Sequence, residues 1–216
     1  DLSAGRLDAM IVADDGAVTW GEVADPSGES AKTRDQVPGA FITPGGEGIW
    51  YHEGWVWFTT KTDNRVHGID LRNQRYELIW DGSGDRQPLT GVDNITVDAG
   101  SGDLFVAEDG GNMELVLITH EDRTVAPFLR YPVLHSELAG PAFSPDGTRL
   151  YFASQGKRHT VDEATGEEVR GEIFEVTGPF RQGKQPFRFR CAQPLQRVGQ
   201  PFGRKGLLGR FGLEAM

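Results

Sequence analysis

The chain has 216 residues, with 22 Lys and Arg against 32 Asp and Glu, for a net charge of -10. At 38% hydrophobic and 10% aromatic residues it has the apolar content of a folded domain rather than a disordered chain. No apolar run approaches the roughly 18 residues of a membrane span, and the acidity argues against a general nucleic-acid binder, which needs a basic face.

Taken in chain order, the sequence is a series of short apolar runs punctuated by Gly, Pro, Asp and Asn, with no sustained helical stripe. Residues 17–23 read as the outer half of a first unit. Gly48-Ile49-Trp50-Tyr51 then opens a second unit, followed by the turn Glu53-Gly54 and the strand Val56-Trp57-Phe58-Thr59-Thr60. Asn94-Ile95-Thr96-Val97 opens the next, followed by Ser101-Gly102-Asp103 and Leu104-Phe105-Val106-Ala107-Glu108. Gly140-Pro141-Ala142-Phe143 opens the last, followed by Ser144-Pro145-Asp146-Gly147 and Leu150-Tyr151-Phe152-Ala153-Ser154. Third strands are expected near 66–71, 114–119 and 171–176, and fourth strands near 76–80 and 124–130. Each run is rich in β-branched or aromatic residues, and Asp-Gly at a hairpin tip is the expected turn chemistry.

A period of about 45–50 residues with four strands per unit is the signature of β-propeller blades. The fold class is therefore all-β, a β-propeller of about three blades and part of a fourth. Propellers close with about 4–8 blades. The expectation is thus a piece of a longer protein, whose missing blades complete the ring, or else closure through a self-association partner. The partial propeller is assigned to residues 1–180. Residues 181–216 hold eight bases and one acid and are rich in Gly, Arg and Gln, so they read as a basic tail, frayed or draped over the surface. The lone cysteine, Cys191, excludes an intrachain disulfide and a Cys-rich zinc site. The chain starts at Asp1 without a signal-like segment, which is the expectation for a processed product or a fragment.

The acids follow the repeat. Glu47 stands just before the first inner strand. Asp93 and Asn94 stand at the same place in the second unit, and Glu137 stands close to it in the third. Glu108 and Asp109 end the second strand of their unit. Carboxylates converging on a propeller axis repel one another unless cations sit among them. Hard oxygen donors suit calcium, magnesium, manganese or ferric iron rather than a zinc-thiolate cage. Asp146 reads as a turn residue. The five histidines, His52, His67, His120, His135 and His159, show no metal-ligand spacing and read as surface or packing residues. Gly110-Gly111-Asn112 has the form of a backbone bend near a ligand. No nucleophile elbow, P-loop or dinucleotide fingerprint is present.

Several motifs occur together: Phe41 with Gly46-Glu47-Gly48, Lys61-Thr62-Asp63-Asn64-Arg65-Val66, Gly91-Val92-Asp93-Asn94, Ala107-Glu108-Asp109-Gly110, Ser136-Glu137-Leu138-Ala139-Gly140-Pro141 and Phe143-Ser144-Pro145-Asp146-Gly147. Their order and content, over residues 5–180, resemble the PhoX-type alkaline phosphatase family of bacterial secreted proteins. The resemblance implies a six-bladed propeller that hydrolyses phosphomonoesters with calcium and ferric iron, exported by the twin-arginine route to the periplasm or beyond. It implies metal ligation by Glu47 and Glu108, then Asp93, Asn94, Asp109 and Glu137, and catalytic roles for Lys61 and Arg65 on a phosphate. It departs from the family in lacking the upstream blades and their iron-site cysteine, with which Cys191 is not equivalent. Two other functions compete: a non-catalytic calcium-stabilised propeller that binds a partner or sugar, and a lactonase-like calcium propeller.

Overall fold

The computed structural model describes residues 5–84, 87–109, 112–131, 136–156, 161, 166, 171–180 and the backbone of 196–197. The rest of the 181–216 segment, Cys191, His135, His159 and Gly110-Gly111 lie outside the described residues. Among the described residues no helix is long and apolar enough to cross a membrane.

The strands form three four-stranded antiparallel sheets and one two-stranded sheet. The two-stranded sheet pairs β1 (Asp8–Val12) with β2 (Val18–Glu22). The first full sheet runs β3 (Gly46–His52), β4 (Trp55–Thr60), β5 (Arg65–Asp70) and β6 (Arg75–Asp81). The second runs β7 (Val92–Val97), β8 (Leu104–Glu108), β9 (Glu114–Ile118) and β10 (Val125–Arg130). The third runs β11 (Leu138–Phe143), β12 (Arg149–Ser154), β13 (Glu172–Thr177) and β14 (Gln196–Arg197). Each strand pairs with its sequence neighbour, so every sheet is a meander, which is how a propeller blade is built. The chain is a partial β-propeller of three blades plus a two-stranded portion of another. The described piece of the basic segment, Gln196–Arg197, lies antiparallel to Phe174 and Glu175 as the outermost strand of the third blade.

Alternation along the strands explains how the blades stack. Side chains of a strand point to opposite faces in turn. In the second blade both faces are covered, so β8 and β9 are buried along their whole lengths. Leu104, Val106, Val116 and Ile118 point toward the first blade, where they meet Trp57, Val66 and Ile79. Phe105, Ala107, Leu115 and Leu117 point the other way, to Leu138, Leu150, Phe152 and Phe174 of the third. Near-continuous apolar runs of this kind are what a sheet sandwiched on both faces requires. The first blade leans on β1 and β2 through its outer strand. Tyr76 N–H donates to the Gly16 carbonyl (2.9 Å) and Trp20 Nε1 donates to Gln74 Oε1 (2.8 Å).

The inner strands β3, β7 and β11 lie side by side, with β7 in the middle. Each carries a bulge at its start: the register shifts between Gly46 and Ile49, between Val92 and Ile95, and between Ala139 and Ala142. A bulge re-aims the side chains of the strand that holds it. Here the bulges put Glu47-Gly48, Asp93-Asn94 and Gly140-Pro141 at equivalent places on neighbouring blades.

Candidate metal centre

The bulges are tied to one another. Gly48 N–H donates to Thr59 Oγ1 (2.9 Å), and the Thr59 hydroxyl donates to the Asp93 carbonyl of the next blade. Asn94 Oδ1 accepts the Gly140 N–H of the blade after that (2.6 Å), and Asn94 Nδ2 donates to Asp93 Oδ1 (2.7 Å). A Cβ on Gly48 would lie 2.7 Å from Ile95 N and 2.8 Å from Asn94 Cα, so only glycine lets β3 approach β7 this closely. Gly91 has φ of +58°, and a Cβ there would lie 2.8 Å from the Asp109 carbonyl, whose N–H donates to Gly91 O at 2.8 Å. These contacts fix Asp93 and Asp109 relative to each other.

Three carboxylates converge at this end of the inner strands. One oxygen from each of Asp93, Asp109 and Glu137 lies within 4.8 Å of the other two. Asp93 is buried, and the other two are half-buried. Glu137 is pushed above its ordinary pKa, first by burial, then by the charge of Asp93, a hydrogen bond to Asp93 and the charge of Glu47. Lys61 acts on it in the opposite direction. Lys61 Nζ, from the turn after β4, forms an ion pair with Asp109 at the end of β8. The cluster thus draws on all three blades: Glu47 and Lys61 from the first, Asp93 and Asp109 from the second, and Glu137 from the third.

The other candidates sit elsewhere. Glu108 is fully buried inside the second blade. Its Oε1 accepts Thr90 N–H (2.8 Å) and the Thr90 hydroxyl (3.3 Å), and its Oε2 accepts Glu114 N–H (3.0 Å). Burial pushes its pKa up to about 7, against the pull of those donors. It thus ties the 89–91 loop and the start of β9 to the end of β8, while Asp109 faces the cluster. Asn94 holds β7 to β11 and orients Asp93. Arg65 is turned to Asp63 (3.3 Å) and Asp81 (3.4 Å) at the outer side of its blade. Asp146 caps its hairpin, accepting from the Ser144 hydroxyl (2.6 Å) and Thr148 N–H (3.1 Å). His67 is a packing residue, stacked on Phe58 with ring centroids 4.6 Å apart. Thr59, which stitches two bulges together, carries no sequence signal beyond its place at the end of a strand.

An all-oxygen set of three carboxylates, with Glu47 beside it, fits a hard cation. Calcium takes six to eight oxygens from carboxylates, backbone carbonyls and water and tolerates irregular geometry. The cluster offers no sulfur or imidazole nitrogen among the described residues, so nothing in it favours zinc.

No protein-family model matches the sequence, and no curated protein matches it. Solved structures of similar shape include regucalcin, a calcium-binding protein from Agrobacterium tumefaciens, at 15% identity over 63% of this chain and 41% of that one, with a TM-score of 0.43. They also include a luciferin-regenerating enzyme, at 17% identity over 62% of this chain and 42% of the other, TM-score 0.37. A chain of a nidogen–laminin complex aligns at 12% identity over 79% of this chain and 71% of its own length, TM-score 0.46. The chain spans about two fifths of the length of the first two. Likeness of this extent carries no argument for a shared site; the blade architecture rests on the sheets and interfaces described above.

Proposed function

We propose that this chain is part of a calcium-binding propeller, with the ion held at the axial end of its inner strands. The observation that carries this reading is the convergence of Asp93, Asp109 and Glu137 from two blades, with Glu47 from a third. Asp93, Asp109 and Glu137 hold the ion, and Glu47 completes the negative field. Calcium neutralises the cluster and cross-links the blades, so it stabilises the propeller. An open groove of about 330 Å³ runs along the inner strands, lined by Gly48 and Asn94, the sequence neighbours of Glu47 and Asp93, with Ile49, Trp50, Ile95 and Pro141. A bound cation at its end provides a docking point for an oxyanion or carbonyl oxygen of a ligand, whether a partner molecule or a lactone.

Metal analysis of purified protein, with melting curves before and after chelation, tests the reading. Bound calcium whose removal lowers the melting temperature supports it. Metal-free protein that melts identically with and without added calcium overturns it.

A second reading is a metal-dependent phosphomonoester hydrolase of PhoX type, using calcium and ferric iron, of which this chain is the carboxy-terminal portion. The order of motifs over residues 5–180 favours it, together with the placement of Lys61 among the acids, where an ammonium can meet a phosphate oxygen. In that reading the protein is exported to the periplasm or secreted, the partners are phosphomonoester small molecules and the missing blades or a self-association partner, and the chain neither binds nucleic acid nor spans a membrane. Arg65, held by Asp63 and Asp81, would need to leave both to reach a substrate. Turnover of p-nitrophenyl phosphate and a lactone panel by the full-length protein, each with and without chelator, separates the two chemistries and the non-catalytic module.

A further inference from the structure

Three acids converge at the candidate metal centre, the charge of Glu47 acts on one of them, and among the described residues Lys61 is the cation whose charge acts on Glu137 and whose ammonium pairs with Asp109. Lys61 is the first residue after β4, at the start of the Lys61-Thr62-Asp63-Asn64 turn, and is only half-buried. Its backbone is fixed, because Lys61 N–H donates to the Gly45 carbonyl (2.8 Å) and Asn64 N–H donates to the Lys61 carbonyl (3.2 Å). The ammonium, by contrast, sits at the end of a four-carbon stem with several rotatable bonds, and its exposed flank lets it swing out to water. The turn is also joined to the second blade, since Asn64 Oδ1 accepts Val92 N–H (3.2 Å) and Asn64 Nδ2 donates to the Leu89 carbonyl (3.0 Å). A mobile positive charge is thus delivered from a rigid base onto an acid that belongs to the ion site of the neighbouring blade.

We propose that Lys61 is a built-in counter-ion that competes with the divalent cation for the same carboxylates. This inference rests on the reading of the cluster as a cation site. Without the metal, the ammonium offsets part of the repulsion among Asp93, Asp109, Glu137 and Glu47 and keeps the blades in register. When the metal binds, the ammonium is pushed off Asp109 and turns outward, because two cations facing each other across one carboxylate repel at short range. Lys61 therefore lowers the cation affinity while protecting the metal-free fold. Calcium occupancy and the lysine position become alternatives.

The test compares the wild-type chain with Lys61→Met and Lys61→Arg, using calcium titration calorimetry and melting of the chelator-treated protein. Removing one positive charge next to a divalent site is expected to tighten calcium binding about tenfold. Lys61→Met should also lower the melting temperature of the metal-free protein and show a larger rise on calcium addition than the wild type. Lys61→Arg, which keeps the charge, should follow the wild type in both measurements. Lys61→Met that binds calcium equally well or more weakly, while the wild type binds it, overturns the counter-ion role and leaves the metal site standing. Absence of calcium binding in all three proteins overturns the metal site and the inference with it. The metal-free melting comparison still separates the two: an unchanged melting temperature in Lys61→Met contradicts a counter-ion whatever the metal does.

Discussion

Glu108 ends β8 without any exposed surface, and both of its oxygens are taken by N–H donors of Thr90 and Glu114. Glu108→Ala would leave the Glu114 N–H buried and unpaired and would release the Thr90 N–H from its partner, at a cost of about 1–3 kcal/mol. The expected outcome is a clear loss in denaturant stability with calcium affinity within about twofold of wild type. Asp109→Asn should do the reverse, sparing the stability of the calcium-free chain and weakening calcium binding. His67 sets a pH dependence of its own. Its Nε2 meets the Thr60 hydroxyl (2.9 Å), its Nδ1 meets Tyr76 Oη (2.8 Å), and burial lowers its pKa from 6.5 to about 4. The unfolded chain therefore binds a proton between about pH 6.5 and pH 4 that the folded chain refuses, so stability falls as pH drops through that window. That fall is the share of His67 alone: Glu108, raised to about 7, acts in the opposite sense over the same window. The loss is therefore read as the difference between wild type and His67→Gln in melting curves from pH 7 to pH 4, with the variant losing less.

At the scale of the element, the inner strands are defined by their bulges. The period of 46 residues that separates Gly46, Val92 and Leu138 is visible in the sequence, and so is the alignment of Glu47 with Asp93. The function of the bulge is not visible there, because it depends on contacts between strands that are distant in sequence: Thr59 to Asp93, 34 residues apart, and Asn94 to Gly140, 46 residues apart. Glycine at position 48 is one of these contacts. Gly48→Ala places a methyl against rigid backbone of β7, and overpacking of this kind costs about 1–3 kcal/mol. Because the displaced segment carries Asp93, the same substitution should weaken calcium binding. Loss of stability with unchanged affinity would show that the bulge serves packing alone. The outermost strand of the third blade, β14, was also illegible: Gln196–Arg197 has no apolar alternation, and it is a strand because β13 offers a free edge.

In the whole molecule, the second blade is the centre of the stack, and its burial on both faces follows from the unbroken apolar runs of β8 and β9. Leu104→Ala and Leu115→Ala, on opposite faces, should each cost about 2–5 kcal/mol. Ile173→Ala, on the exposed face of the third blade, should change stability by less than about 0.5 kcal/mol. Repeats and strand order were readable because a propeller writes the same short pattern many times. Which acids converge was not, because Glu108 and Asp109 are adjacent in sequence yet point to different places, one into the blade and one to Asp93 and Glu137. The proposed function stands on calcium held by Asp93, Asp109 and Glu137. Calcium titration of the chelator-treated chain, alongside Glu137→Gln, tests it most directly. The wild type should bind calcium with the substitution weakening it at least about tenfold; calcium binding unaffected by Glu137→Gln, or none at all, would contradict it.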